Sequence, residues 1–131
     1  MTLLGALAAC GRGDRLPSKS SNEYNEALRA FFVGLAALQV GDDIRADAKL
    51  AELTRLAPGE PAGWVNWGVL ALRQRNFDAA KERLTRALEL TPQDGRIYNL
   101  LGLLESSRGN SAQSIAYLQK AMEQNPGDLR N

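Results

Sequence analysis

A 34-residue period constrains this chain more than any other feature in it. Gly34, Gly68 and Gly102 recur at that 34-residue step, as do Pro58, Pro92 and Pro126, and Ala46, Ala80 and Ser114. Three independent residue series on one period mark a repeat protein, whose units bury their apolar faces against each other. The clearest copy is residues 61–92, PAGWVNWGVLALRQRNFDAAKERLTRALELTP. Two helix-forming segments flank a tight break at Arg75-Asn76, and a proline closes the second.

Helical periodicity and end signals predict one pair of helices per copy. They fall near 23–40 and 43–57, 62–74 and 77–90, and 95–108 and 111–124. Ser20 and Glu23 read as a capping box ahead of the first helix. Gly41-Asp42-Asp43 is a turn and N-cap, and Asn76 and Asp78 flank Phe77 as cap or first-turn residues. Pro58 discourages helix at Ala57, Pro61 suits a first turn, and Gly109-Asn110-Ser111 breaks the last pair.

The period and these residue types resemble the tetratricopeptide repeat, a helix–turn–helix unit. That family carries a large residue at position 4, small ones at 8, 20 and 27, and a proline at 32. The second copy has Trp64, Gly68, Ala80, Ala87 and Pro92 there, with Phe77 at the preferred aromatic position 17. The third has Tyr98, Gly102, Ser114, Ala121 and Pro126. The first has Ala30, Gly34, Ala46, Leu53 and Pro58, and so lacks the aromatic and one small residue. The resemblance implies an all-α fold: a right-handed α-α superhelix of three repeats, near 27–60, 61–94 and 95–128, with about six helices. It places residues 22–131 in one repeat domain after a segment 1–10 and a tether 11–21. Trp64 and Trp67 fall at consensus packing positions, which assigns them to the core rather than to a ligand-stacking pair.

Composition narrows the function classes. The chain has 131 residues, no histidine and one cysteine, Cys10. Histidine acid–base chemistry, the common zinc ligand sets and an intrachain disulfide are thereby excluded, and neither enzyme activity, a metal nor a cofactor is expected. A net charge of +1, with acids and bases interleaved, argues against nucleic acid as a partner.

The first ten residues, MTLLGALAAC, are apolar and uncharged, too few to span a membrane. Leu7-Ala8-Ala9-Cys10 resembles the lipobox of bacterial lipoproteins, which implies lipidation at Cys10 after cleavage. The apolar run has no Lys or Arg ahead of it and is short for a signal peptide; the competing reading is an apolar terminus with an incidental cysteine. Two or more acyl chains would hold a small protein on a membrane stably. Gly11 is not the aspartate that signals inner-membrane retention in such lipoproteins. The resemblance therefore implies a cell-envelope location, at the outer membrane facing the periplasm; an unmodified Cys10 implies a cytoplasmic protein. Residues 11–21, rich in Gly, Ser and charge, read as a tether.

Tetratricopeptide arrays hold peptides or proteins in a concave groove lined by the first helix of each repeat. The resemblance carries that role to Leu28, Phe31, Leu35 and Leu38 in the first copy and Val65, Val69 and Arg73 in the second. Arg96, Asn99 and Leu103 follow in the third, with Leu72, Ser106 and Ser107 on the same stripe. This groove is apolar at one end and carries arginines at the other, which suits a peptide with hydrophobic anchors and a carboxylate. The rival reading is that the N-terminal segment folds back over Leu28, Phe31 and Leu38. The two-carboxylate clamp of chaperone-binding members needs Lys and Asn at groove positions including 5 and 9; here position 5 is Phe31, Val65 and Asn99 and position 9 is Leu35, Val69 and Leu103, so that activity is not expected. A bare last helix is also expected, exposing Ile115, Leu118 and Met122 to further chain, to a second subunit or to water. An N-terminal module of a larger protein, such as an enzyme, is the remaining alternative to an adaptor.

Overall fold

The computed structural model describes residues 15–124; the lipobox with Cys10, Pro126 and the chain beyond it lie outside the described residues. Every regular element among the described residues is an α-helix: α1 Asn22–Val40, α2 Asp43–Leu56, α3 Pro61–Arg73, α4 Phe77–Leu90, α5 Gly95–Ser107 and α6 Ser111–Gln124. Each boundary falls within one residue of the sequence expectation.

The caps explain that agreement and its one failure. Asp42 and Asn76 accept hydrogen bonds from the Arg45 and Ala79 amides at 3.1 and 3.3 Å, satisfying amides left open by the first turns of α2 and α4. At α1 the cap is Ser21, not Ser20: its hydroxyl accepts from the Tyr24 amide at 3.1 Å. A turn closed by the Ser21 amide on the Ser18 carbonyl puts Ser21 in the extended conformation a cap needs, while Ser20 faces Ser18. Three residues beyond Ser21 stands Tyr24, so the reciprocal carboxylate of a capping box is missing.

The turn inside each helix pair uses one left-handed residue at equivalent repeat positions: Gly41 (φ 79°), Arg75 (φ 58°) and Gly109 (φ 83°). Glycine adopts this conformation without strain and arginine does not.

The helices group into two compact units that divide between Gly63 and Trp64. The first packs α1 on α2, with Ala27, Ala30, Ala37, Ala46, Leu50 and Leu53 buried between them. Gly34 permits the approach, since a Cβ there would lie 3.3 Å from Leu50. The second unit packs α3, α4, α5 and α6. Its core is Ala71, Ala80, Leu84, Ala87, Ile97, Leu101 and Leu104, with Trp64 and Phe77 packed against it. Gly68 and Gly102 are tighter still: a Cβ would come within 2.8 Å of Leu84 and 2.9 Å of Leu118.

Candidate functional site

In the first unit the expected groove residues separate. Leu28 is exposed and Phe31 and Leu35 are half-buried, but Leu38 is buried and does not join the surface. The cause is helical geometry: Leu38 lies one turn beyond Gly34, on the stripe that faces α2. Leu28 and Phe31 instead line an apolar cavity of about 460 Å³ with Leu16, Pro17, Tyr24 and Leu53. The chain ahead of α1 thus forms one wall of this cavity, as the fold-back reading anticipates, and leaves it open beside Leu28.

In the second unit, Val69, Leu72 and Arg73 of α3 meet Leu100, Leu103 and Ser107 of α5 around a shallower cavity of about 280 Å³. Five of these six were assigned to the groove from repeat position; Leu100 is the addition. Val65 packs against the core from the same helix. Asn99 and Arg96 are exposed on α5. Arg96 is already engaged: its Nε and Nη2 donate to the two carboxylate oxygens of Asp94 at 3.1 and 2.9 Å. These bonds hold the Asp94 carboxyl below its ordinary range, against the opposing effect of its burial. A ligand carboxylate must displace Asp94 to reach Arg96.

The tryptophans are less buried than a core assignment implies. Trp64 and Trp67 are both half-buried, with ring centroids 6.0 Å apart. Trp64 packs on the core, while the Arg83 guanidinium stacks 3.8 Å from the Trp67 ring and donates to the Trp67 carbonyl at 3.1 Å. Arginine covers this ring because a planar, weakly hydrated cation can lie on an aromatic face.

Sequence reasoning missed a buried polar cluster. Glu105 on α5, its side chain 5% exposed, accepts from Asn110 at 2.7 Å and from Lys81 on α4 at 3.0 Å. Lys81 also reaches the Tyr117 hydroxyl on α6 at 3.0 Å, so three helices share one ammonium. The bonds from Asn110 and then Lys81 lower the Glu105 carboxyl below its usual range despite burial. Burial lowers the Lys81 ammonium, but its bonds to Tyr117 and Glu105 outweigh that and raise it. The available signal was positional: the equivalent residues of the other copies are Ala37 and Ala71, both buried. A glutamate in a buried alanine position needs partners.

Among the described residues no group of three or more Cys, Asp or Glu side chains could hold a metal ion. No described helix is long and apolar enough to cross a membrane.

Comparison with known proteins agrees with the fold. Residues 65–128 match the family model described as tetratricopeptide repeat. Among solved structures, MamA from MSR-1 is similar at 22% identity and a TM-score of 0.73, over 78% of this chain and 59% of that one. The TPR2B domain of yeast Sti1, solved as a complex with pHsp70, is 20% identical with a TM-score of 0.73, over 76% of this chain and 80% of that one. An O-GlcNAc transferase mutant of Thermobaculum terrenum gives 20% and 0.76, over 82% of this chain but 21% of that one. The chain spans about three fifths of the length of the first MamA structures it matches. None of the curated proteins matches the chain. The fold is therefore all-α and of the tetratricopeptide superhelical type.

Proposed function

We propose that this tetratricopeptide-fold chain is a non-enzymatic adaptor of the bacterial cell envelope, anchored by lipid at Cys10, that holds a peptide or protein partner on the first helices of its repeats. The observation that carries the binding half is the cavity where Val69, Leu72 and Arg73 meet Leu103 and Ser107. Residues assigned from repeat position converge there on an apolar patch beside one cation. Exposed apolar surface rimmed by polar groups marks interaction sites. The pHsp70 complex of the Sti1 domain supports the reading, since that protein uses the same fold to hold another chain. The anchor rests on Leu7-Ala8-Ala9-Cys10 and the tether that follows.

Two experiments test the halves separately. Mass spectrometry of the membrane fraction should yield an acylated fragment starting at Cys10; a soluble protein that keeps Met1 rejects the anchor. Crosslinking in cells followed by affinity capture should recover the same partner from wild type and from Ser106→Ala. Leu103→Asp should lose it, and equal recovery from Leu103→Asp rejects the binding surface.

A second reading has its own support. In the transferase the matched region is 21% of a much longer chain, so the same fold occurs as a module of an enzyme. Reading the gene beyond codon 131 decides between the two.

A further inference from the structure

The helices at the two ends of the chain carry faces that the repeat period says are partners. Within the second unit, α4 packs on α5: Leu84 of α4 is buried with Leu101 and Leu104 of α5. Advancing α4 by one 34-residue period gives α6, and Leu84 becomes Leu118, which is exposed. Moving α5 back two periods gives α1, and Leu101 and Leu104 become Val33 and Ala36, also exposed. The α4–α5 joint is thus a template for a joint between α6 of one molecule and α1 of another.

The charges support that pairing independently. The internal joint carries two ion pairs, Lys81 with Glu105 at 3.0 Å and Asp78 with Arg108 at 3.1 Å. Carried to the chain ends by the same shifts, Lys81 and Glu105 become Ile115 and Ala37, while Asp78 and Arg108 become Ala112 and Val40. Each pair has lost its charge on both sides together, so an α6–α1 joint strands no lone charge. The resulting surfaces are apolar and open: Ile115 is 56% and Val40 is 80% exposed. One mismatch remains. Arg29 stands where Ile97 is buried, and in the joint it meets the C-terminal end of α6, where the helix dipole favours a cation.

We propose that this chain self-associates head to tail, the α6 face of one molecule stacking on the α1 face of the next as α4 stacks on α5. The occupant is a second copy because the template that predicts each face is the chain's own joint. The contact is heterologous, so it adds molecules in a row instead of closing on a symmetric pair.

Sedimentation of the full chain under reducing conditions tests this, from about 1 μM to about 1 mM, the span of weak association. The mean mass should climb with concentration and pass two chains without a plateau. Val40→Arg and Ala112→Asp restore one internal charge each, at helix ends whose dipoles suit them. Alone, each should weaken association by about twofold to fivefold; mixed, they recreate the solvent-exposed Asp78–Arg108 pair and should recover it. Ile115→Glu, checked for unchanged circular dichroism, should also abolish growth. A monomer mass throughout overturns the proposal, as does a plateau at two chains. So does a mixture no better associated than either variant alone.

Discussion

Alanine at Gly34, Gly68 and Gly102 separates two opposing effects that the repeats share in unequal measure. Each glycine sits inside a helix, where alanine is favoured by about 1 kcal/mol. Against that stands overpacking, which costs about 1–3 kcal/mol when neighbours cannot move. At Gly34 the new methyl meets Leu50 and Lys49 at 3.3 Å, a contact that a few tenths of an ångström relieves. Gly34→Ala should therefore match or exceed wild-type stability. At Gly68 the methyl lies 2.8 Å from both Cγ and Cδ2 of Leu84. Leu84 is 0% exposed within the Ala80–Ala87–Leu101 core and has nowhere to go. Gly68→Ala should lose up to about 2 kcal/mol net, the overpacking cost less the helix gain. At Gly102 the clash is nearly as close, 2.9 Å, but Leu118 is 41% exposed and can swing into solvent. Gly102→Ala should fall between the other two.

Urea unfolding gives the assay. Trp64 and Trp67 both lie in the second unit, so their fluorescence reports Gly68→Ala and Gly102→Ala directly, while circular dichroism follows Gly34→Ala. With a denaturant slope of about 1–3 kcal/mol/M, each 1 kcal/mol lost moves the midpoint by about 0.3–1 M. The expected order is Gly34→Ala, Gly102→Ala, Gly68→Ala, from most to least stable. Gly68→Ala at or above wild type, with Gly34→Ala below it, would refute the packing argument.

Arg75 holds a left-handed conformation that its counterparts Gly41 and Gly109 take freely, so Arg75→Gly should stabilise by about 0.5–1 kcal/mol, read as a higher thermal midpoint. Truncating the Lys81–Glu105 pair should be asymmetric. Lys81→Ala strands a nearly buried carboxylate and should cost about 2–3 kcal/mol, whereas Glu105→Ala leaves a lysine 36% exposed and should cost about 1, both by urea unfolding. The same pair sets an acid dependence. Because the folded Glu105 carboxyl lies below its unfolded value, its contribution is present above about pH 4.3 and is lost as pH falls through the folded value, so Glu105→Gln should flatten the stability profile below that pH. In the first unit, where Ala30 replaces the aromatic of Trp64 and Tyr98, amide hydrogens of α1 should exchange faster than those of α5.

The fold was legible because its signals are local and repeated. A glycine at every eighth repeat position and a proline at the end of each copy place six helices before any tertiary contact is considered, and the caps at Asp42 and Asn76 are short-range chemistry. Ser21 escaped because its role depends on a turn at Ser18–Ser21 that no residue type announces. The groove was legible only in part. Val69, Leu72, Arg73 and Leu103 converge because repeat position dictates helix face. Leu38 and Arg96 did not follow, because a neighbouring side chain decided each: Leu38 is drawn onto α2 beside Gly34, and Asp94 claims the guanidinium.

The remaining structure is written in departures from the period. Where a copy breaks the pattern, a specific physical demand stands beside the break. Glu105 replaces a buried alanine, and Lys81, Asn110 and Tyr117 gather around it. Arg75 replaces a turn glycine and keeps the strained backbone, its guanidinium lying 5.1 Å from the Phe77 ring. Val40 and Ala112 replace the members of an ion pair, and both change together although 72 residues of chain separate them. That internal pair is solvated, with the Asp78 side chain 93% exposed, so its loss costs at most about 1 kcal/mol and does not by itself dictate what replaces it. In an isolated molecule the two positions answer to nothing, and two solvated polar residues would serve equally well. The apolar residues found at both sites, continued by Ile115 and Val33, are what a contact between them requires.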